Sequence, residues 1–312
     1  MTPRKTFAGL LQNDIVQVGG KDRVDLLHRL STNDLEPLAT TGQVRSTLFT
    51  TSQGRLIDWV TVVAAPEVLL LVASPGRGQR IADWVDTYTI MEDVQSKLVS
   101  SAKAHIVVDG PNAEQVVSTV FGDVGTLSAE SARQANDGWI WRGLAAYGPR
   151  FELLVDAAQA QATLQRLRAV GALAADQSIF ERLRVDAGVP GPATEYPDDV
   201  NPLELRLGPV AVSFRKGCYI GQEVISRLDS YDKVARLLVG FSVEERAAAR
   251  VAALPDGERK LTRDNKPFGR VTSLVGGKGL AVVKREGSEG GPAELVAGDM
   301  RLPVQLEPRP FF

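Results

Sequence analysis

At 312 residues the chain is longer than one hydrophobic core usually supports, so two or three subdomains are expected. Apolar residues make up 44% and charged residues 24%, and the formal net charge is −2. Those values exclude a disordered chain and a global basic field of the kind that drives nucleic-acid binding. One cysteine excludes an internal disulfide, a four-thiolate cluster and a CxxC redox pair. The N-terminal "MTPRKTFAGLLQND" has too brief an apolar stretch for a signal peptide. The most apolar region, Val60 to Ala73, is broken by Pro66 and Glu67 and is too short to span a bilayer. The expectation is a soluble cytoplasmic protein with no membrane or nucleic-acid partner.

In chain order, "DIVQVGG" (Asp14 to Gly20) alternates apolar and polar residues and ends on paired glycines, a strand entering a turn. "KDRVDLLHRLSTNDL" follows as a helix, with Val24, Leu27 and Leu30 on one face and Asp22 and Asp25 in the first turn. Three strands come next, broken at Ser52–Gly54 and Ala65–Glu67. A helix from Gly78 to Tyr88 groups Ile81, Trp84 and Val85. "AHIVVDGPNAEQVVSTVF" reads as strand, turn and helix, with Pro111 near the helix start. Strands at "GWIWRGL" and "RFELLVD" precede a helix from Ala157 to Val170.

"DQSIFERLRVDAGVP" predicts a helix opened by a capping box, Ser178 with Glu181, and closed by Gly188 and Pro190. Pro190 to Pro209 is a proline-rich ordered loop or functional insertion. From Val234 short apolar runs separated by turn residues predict a small β-barrel or sandwich. The expected division is a body over residues 1–233 and a barrel over 234–312.

Cys218 lies in "SFRKGCYIGQEVISRL", between Gly217 and Gly221 and before an expected helix. Free N–H groups at a helix start, together with Arg215 and Lys216, would lower a thiol pKa from about 8.5 and favour the reactive thiolate. The competing reading is a small buried apolar cysteine. Glu204, at the end of "VNPLE", is either a solvated loop acid or a carboxylate that accepts two parallel hydrogen bonds from an amidine-like edge. Asp58, in "GRLIDWV", either sits on an exposed strand face or lines a pocket as an acid or base with a raised pKa. The two histidines, His28 and His105, fall in no metal or triad pattern. No metal site is expected. No phosphate-binding loop occurs, because Asp22 stands after Lys21 where Ser or Thr is required. "PGRGQRI" lacks the third glycine of a dinucleotide fingerprint.

"KGCYIGQE" (Lys216, Gly217, Cys218, Tyr219, Ile220, Gly221, Gln222, Glu223) resembles the signature of the YgfZ-type folate-binding proteins. Those proteins assist iron–sulfur enzymes and are related to the glycine-cleavage T-protein, an aminomethyltransferase. The likeness extends to Thr32–Asp34, to "TLFTTSQGRLIDWVTV", to "RLRVDAGVPG…NPLE" and to "PFGRVTS" and "GKGLAVV" near the C-terminus. It implies an α+β fold, a T-protein-like cloverleaf of two α+β subdomains around a central folate cavity, with a C-terminal β-barrel. It implies tetrahydrofolate or a derivative as cofactor, held by Glu204, Arg227, Asp58 and Trp59. Asp58 matches one of two adjacent acids in the T-protein, and Trp59 stands where the second would be. The implied partners are iron–sulfur client enzymes or cluster-assembly proteins, with Cys218 near the cavity rim. The alternative reading is an aminomethyltransferase or related one-carbon transferase.

Overall fold

The computed structural model describes residues 5–135, 138–145, 148–252 and 259–308. The chain forms two compact units. The first holds the residues up to Thr51, Ile57–Phe180 and Ala211–Ile220; the second holds Ser52–Leu56, Glu181–Val210 and the residues from Gly221 onward. The division therefore crosses the sequence several times.

The first unit begins with β1 (Phe7–Leu11), β2 (Asp14–Gly19), α1 (Arg23–Leu30), β3 (Val44–Thr50), β4 (Leu56–Ala65), β5 (Val68–Ala73), α2 (Gly78–Tyr88) and β6 (Gln95–Leu98). It continues with β7 (Lys103–Asp109), α3 (Ala113–Phe121), β8 (Ala132–Ala135), β9 (Gly138–Arg142), β10 (Arg150–Asp156), α4 (Ala160–Ala169) and β11 (Leu173–Ala174). One sheet has the order β3-β4-β5-β2-β6 and the other β11-β1-β7-β10-β9-β8.

Period-two alternation builds both halves. Val16 and Val18 of β2, Val60, Val62 and Ala64 of β4, and Leu69 and Leu71 of β5 pack on α1 and α2. The intervening residues, Ile15, Val63, Ala65, Leu70 and Val72, join Trp139, Trp141 and Leu154 of the second sheet in one cluster. The two sheets thus meet face to face. On the far side, Ile140, Phe151, Leu153 and Val155 pack with residues of α3 and α4. Each fully buried large aliphatic contributes about 1.5–3 kcal/mol.

Helix α5 (Gln177–Ala187) runs across the boundary between the units. Its cap differs from the sequence expectation. Asp176, not Ser178, caps it: Asp176 Oδ1 accepts from the backbone N–H groups of Ser178 and Ile179 at 3.0 and 3.1 Å. Glu181 is instead ion-paired with Arg184. Asp176 lies one residue before the helix and reaches its first free N–H groups, which Ser178, already inside the first turn, does not.

In the second unit Pro190–Pro209 is ordered, with Tyr196, Val200, Leu205 and Leu207 buried, and it runs into the short helix α6 (Gly208–Ala211). Then come α7 (Gln222–Ser230), β12 (Arg236–Ser242), α8 (Glu245–Ala252), β13 (Arg259–Arg263), β14 (Lys266–Val275), β15 (Lys278–Lys284), β16 (Gly291–Ala297) and β17 (Met300–Glu307). The six strands close into a barrel in the order β12-β15-β14-β13-β16-β17. Val239, Phe241, Leu261, Val271, Ala281, Val283, Leu295 and Leu306 fill it, and Val251 of α8 joins them. Helix α8 was not anticipated. Its alanine-rich "ERAAARVA" interrupts a region that otherwise reads as short strands. Among the described residues no helix is long and apolar enough to cross a membrane.

Candidate functional site

In the first unit Asp58 lies in β4 and is fully buried. Its Oδ2 accepts the Ser74 backbone N–H at 2.8 Å, just before α2, while its Oδ1 is buried without a hydrogen-bond partner. Burial raises its pKa to about 6, against the opposing hydrogen bonds from Ser74 and the nearby Arg77 guanidinium. Holding the proton this tightly corresponds to about 3 kcal/mol against the ionised form. That is comparable to burying one large aliphatic, so the fold can sustain it. Of the two readings of this acid, the exposed one is excluded.

Trp59 follows Asp58 on the same strand, and successive strand residues point to opposite faces. Trp59 is half-buried and its indole N–H donates to Ser46 Oγ. The structure therefore does not bring Asp58 and Trp59 together on one face of the sheet.

Cys218 also belongs to the first unit, and it is free and exposed. The buried-core reading of this thiol is overturned. The segment Ala211–Ile220 is fastened to the end of α1 and the chain after it. Thr32 Oγ1 donates to Ala211 O at 2.5 Å, and the Ser213 N–H donates to Thr32 O at 3.0 Å. The Ile220 N–H donates to Arg29 O at 3.3 Å, and Thr50 Oγ1 donates to Ile220 O at 2.7 Å. Between these points Lys216 Nζ donates to three carbonyls, His28 O at 2.5 Å, Ser31 O at 2.8 Å and Asn33 O at 2.7 Å. Burial pushes the Lys216 pKa down to about 8. Tyr219 is buried, and its ring lies 5.3 Å from Lys216 Nζ. The Thr32–Asp34 segment thus has a structural explanation. Besides holding the cysteine segment, its Asn33 Nδ2 donates to Ser46 O at 2.7 Å.

His28 faces the same corner. Its Nδ1 accepts the Leu35 N–H at 3.2 Å, and burial with the Lys216 charge holds its pKa below the usual histidine value. The other histidine, His105, sits between the sheets in a buried ionic network. Its Nε2 lies 3.2 Å from Glu152 Oε2, and Arg150 Nε donates to Glu152 Oε1 at 2.8 Å. Burial alone would raise the Glu152 pKa; Arg150 and His105 outweigh it and hold the carboxyl at about 2.

In the second unit Glu204 is buried, so the solvated-acid reading is excluded. Arg236 engages both its oxygens, Nε to Oε1 at 2.9 Å and Nη2 to Oε2 at 3.1 Å. The Asn201 N–H adds a bond to Oε2 at 3.1 Å, and Asn201 Nδ2 ties the loop to Gly54 O at 2.9 Å. The carboxylate raises the Arg236 pKa in turn. Arg227 is exposed in the last turn of α7, and the hydrogen-bond partners of Glu204 are Arg236 and Asn201. Sequence reasoning missed Arg236. The only trace was a basic residue opening the strand "RLLVGFS", and nothing local links it to a glutamate 32 positions earlier.

Gly221 caps α7 at φ 88°, a left-handed conformation that glycine adopts without strain. Gln222 and Glu223 form the first helical turn, with Glu223 exposed toward the positive end of the dipole. Cys218 stands four residues before that helix and not at its first turn.

The family model for the GCVT N-terminal domain matches residues 14–216, and that for the CAF17 C-terminal beta-barrel domain matches residues 239–309. A chloroplastic transferase of Arabidopsis thaliana is 29% identical over 297 residues, covering 91% of this chain and 66% of that protein. The match thus spans about two thirds of that relative's length. An aminomethyltransferase of Geobacillus kaustophilus is 27% identical over 337 residues, covering 99% of this chain and 88% of that protein. Aminomethyltransferase T of the glycine cleavage system from Bartonella henselae has the same fold. Its structure superposes with a TM-score of 0.83 at 16% identity, over 100% of this chain and 87% of that one.

Proposed function

Because the chain belongs to the family of the GCVT N-terminal domain, matched over residues 14–216, we propose that it is a tetrahydrofolate-dependent accessory protein for iron–sulfur enzymes. It would act in their assembly or repair, with Cys218 as its working thiol. The observation that carries this reading is Cys218 itself. The only thiol of the chain is exposed on a segment held at both ends, where a packing cysteine would be buried.

The residues present fit a folate. Glu204 is ordered with Arg236 on both its oxygens, and the remaining lone pairs of that carboxyl could receive the donor edge of a pterin. Asp58 keeps one buried oxygen without a partner, which a ligand donor would satisfy. Tetrahydrofolate, when bound, supplies nucleophilic nitrogens that carry one-carbon groups. Asp58 would hold a proton below about pH 6 and be able to accept one just above it. Among the described residues no group of three His, Cys, Asp or Glu side chains is placed to hold a metal ion. Iron or sulfide handled by Cys218 would therefore take its remaining ligands from a partner. A free surface thiol fits a reducing compartment such as the cytoplasm.

The test is genetic. The gene is deleted, wild type or Cys218→Ser is restored, and an enzyme with a 4Fe–4S cluster is assayed. Restoration by wild type alone supports the reading; a deletion without a cluster-enzyme defect ends it. Folate binding is tested by titrating tetrahydrofolate against tryptophan fluorescence. Glu204→Ala is expected to weaken it by about 1.5–3 kcal/mol. The second reading, an aminomethyltransferase, is favoured by the raised pKa of Asp58 and by the names of the relatives. Ammonia release from an aminomethyl-lipoyl carrier with tetrahydrofolate would establish it in place of the first.

A further inference from the structure

A lysine two residues before a cysteine invites an electrostatic role: its charge stabilises the thiolate. The geometry points elsewhere. An ammonium has three N–H donors, and the three donors of Lys216 are matched by the carbonyls of His28, Ser31 and Asn33. Those carbonyls lie at the C-terminal end of α1 and just beyond it, where the helix leaves acceptors unpaired and the dipole is negative. Replacing any one by water would leave a half-buried cation less well solvated.

We propose that Lys216 is a positioning residue: its ammonium clips the Cys218 segment onto the carbonyl terminus of α1, so that Gly217 and Cys218 form an exposed apex between two fixed points. This rests on the assignment of Cys218 as the working thiol. The second fixed point is Ile220, held by Arg29 O and Thr50 Oγ1. Tyr219, buried between the two, prevents the apex from folding back. Nothing crowds the position at which Gly217 would carry a Cβ, so the apex is open there to an approaching partner.

The clip and the charge make opposite predictions for arginine. A planar guanidinium keeps the charge but cannot direct three donors from one nitrogen onto three converging carbonyls. The experiment compares wild type with Lys216→Arg, Lys216→Met and Thr50→Val in the full chain. Thr50→Val removes one of the two bonds at the other fixed point without touching any charge. Amide hydrogen exchange is followed across residues 213–221, and alkylation of the single thiol by iodoacetamide is followed as a function of pH.

The expected result is about tenfold faster exchange in residues 213–221 for both lysine variants, confined to that segment. Thr50→Val should give a similar but smaller increase at the Ile220 end. The pH at which alkylation is half-maximal should stay at its wild-type position in Lys216→Met. If Lys216→Arg exchanges like wild type while Lys216→Met moves the alkylation midpoint upward, Lys216 acts by charge and the proposal is overturned. Wild-type exchange in both lysine variants overturns it as well. If a lysine variant does not fold, unchanged exchange at the Ile220 end of Thr50→Val overturns the two-point attachment by itself. Client-enzyme support in cells separates the two layers. Loss in Lys216→Arg and in Cys218→Ser joins the clip to the function. Retained support in Cys218→Ser ends the functional reading while the exchange result still decides the clip.

Discussion

Asp58 and Glu152 are both buried carboxyls on strands of the same unit, yet their environments pull them in opposite directions. Glu152 has Arg150 on one oxygen and His105 on the other, and its pKa falls to about 2. Asp58 has Ser74 on Oδ2 and an Oδ1 without a hydrogen-bond partner, and burial outweighs its polar neighbours so that its pKa rises to about 6. A satisfied buried charge serves the fold. A buried carboxyl left half-satisfied costs the fold, and under the proposed function that cost is offset by a ligand. The contrast separates a satisfied buried acid from a half-satisfied one where residue type and burial do not.

The sharpest way to break the comparison is Glu152→Gln. It removes the closer carboxylate of Arg150, which keeps Asp109 at 3.8 Å, and leaves His105 without its carboxylate, and a loss of about 3–5 kcal/mol is expected in denaturant unfolding at neutral pH. The Glu152 pKa is lowered on folding. Its contribution is therefore full above the ordinary glutamate range and disappears as pH falls through about 2. The penalty of the substitution should shrink in acid. A penalty under about 1 kcal/mol would place Glu152 outside the structural class.

Asp58→Asn should act with the opposite sign. The Asp58 pKa is raised on folding, so wild-type stability is full below about 3.9 and declines as pH rises through about 6. Asparagine lacks that decline. The variant should match wild type near pH 4 and exceed it by about 1–3 kcal/mol at pH 7.5, while losing any activity that needs the proton. A variant that is destabilised at pH 7.5 would mean that the ionised Asp58 supports the fold. The smallest effect belongs to Arg77→Met. Arg77 lowers the Asp58 pKa, so its removal should move the Asp58 titration further up, visible by carboxyl NMR. A downward movement would contradict the assigned cause.

Period and turn chemistry made much of the architecture legible. Helix α2 runs from Gly78 to Tyr88 as its apolar spacing predicts, and the breaks between β3, β4 and β5 fall at the turn residues. Four short strands escaped notice for physical reasons. Edge strand β6, "QSKL", is largely exposed and shows no apolar alternation, and β11 is two residues long. "FAGLL" of β1 is brief, and "ARQA" of β8 is polar. In α1 the sequence grouped Val24, Leu27 and Leu30, whereas the core takes Leu26, Leu27 and Leu30 fully and Val24 in part.

The candidate site was legible only where one residue carried its own context. Asp58 in an apolar strand and Cys218 between glycines announce themselves; what they touch does not. The partner of Glu204 required the fold, because Arg236 reaches it from the start of a strand 32 residues later. The same holds for Lys216, whose acceptors are some 183–188 positions away.

That separation has a consequence for how the protein is made. The acceptors of Lys216 lie within residues 28–33 and Lys216 itself comes only after two thirds of the 312 residues. Such contacts close late, after the entropy of a very long loop has been lost. A nascent chain can form its first sheet on the ribosome while its thiol is still unmade. The cysteine is therefore among the last residues of its unit to be made, and its mount consists of groups already synthesised when it appears.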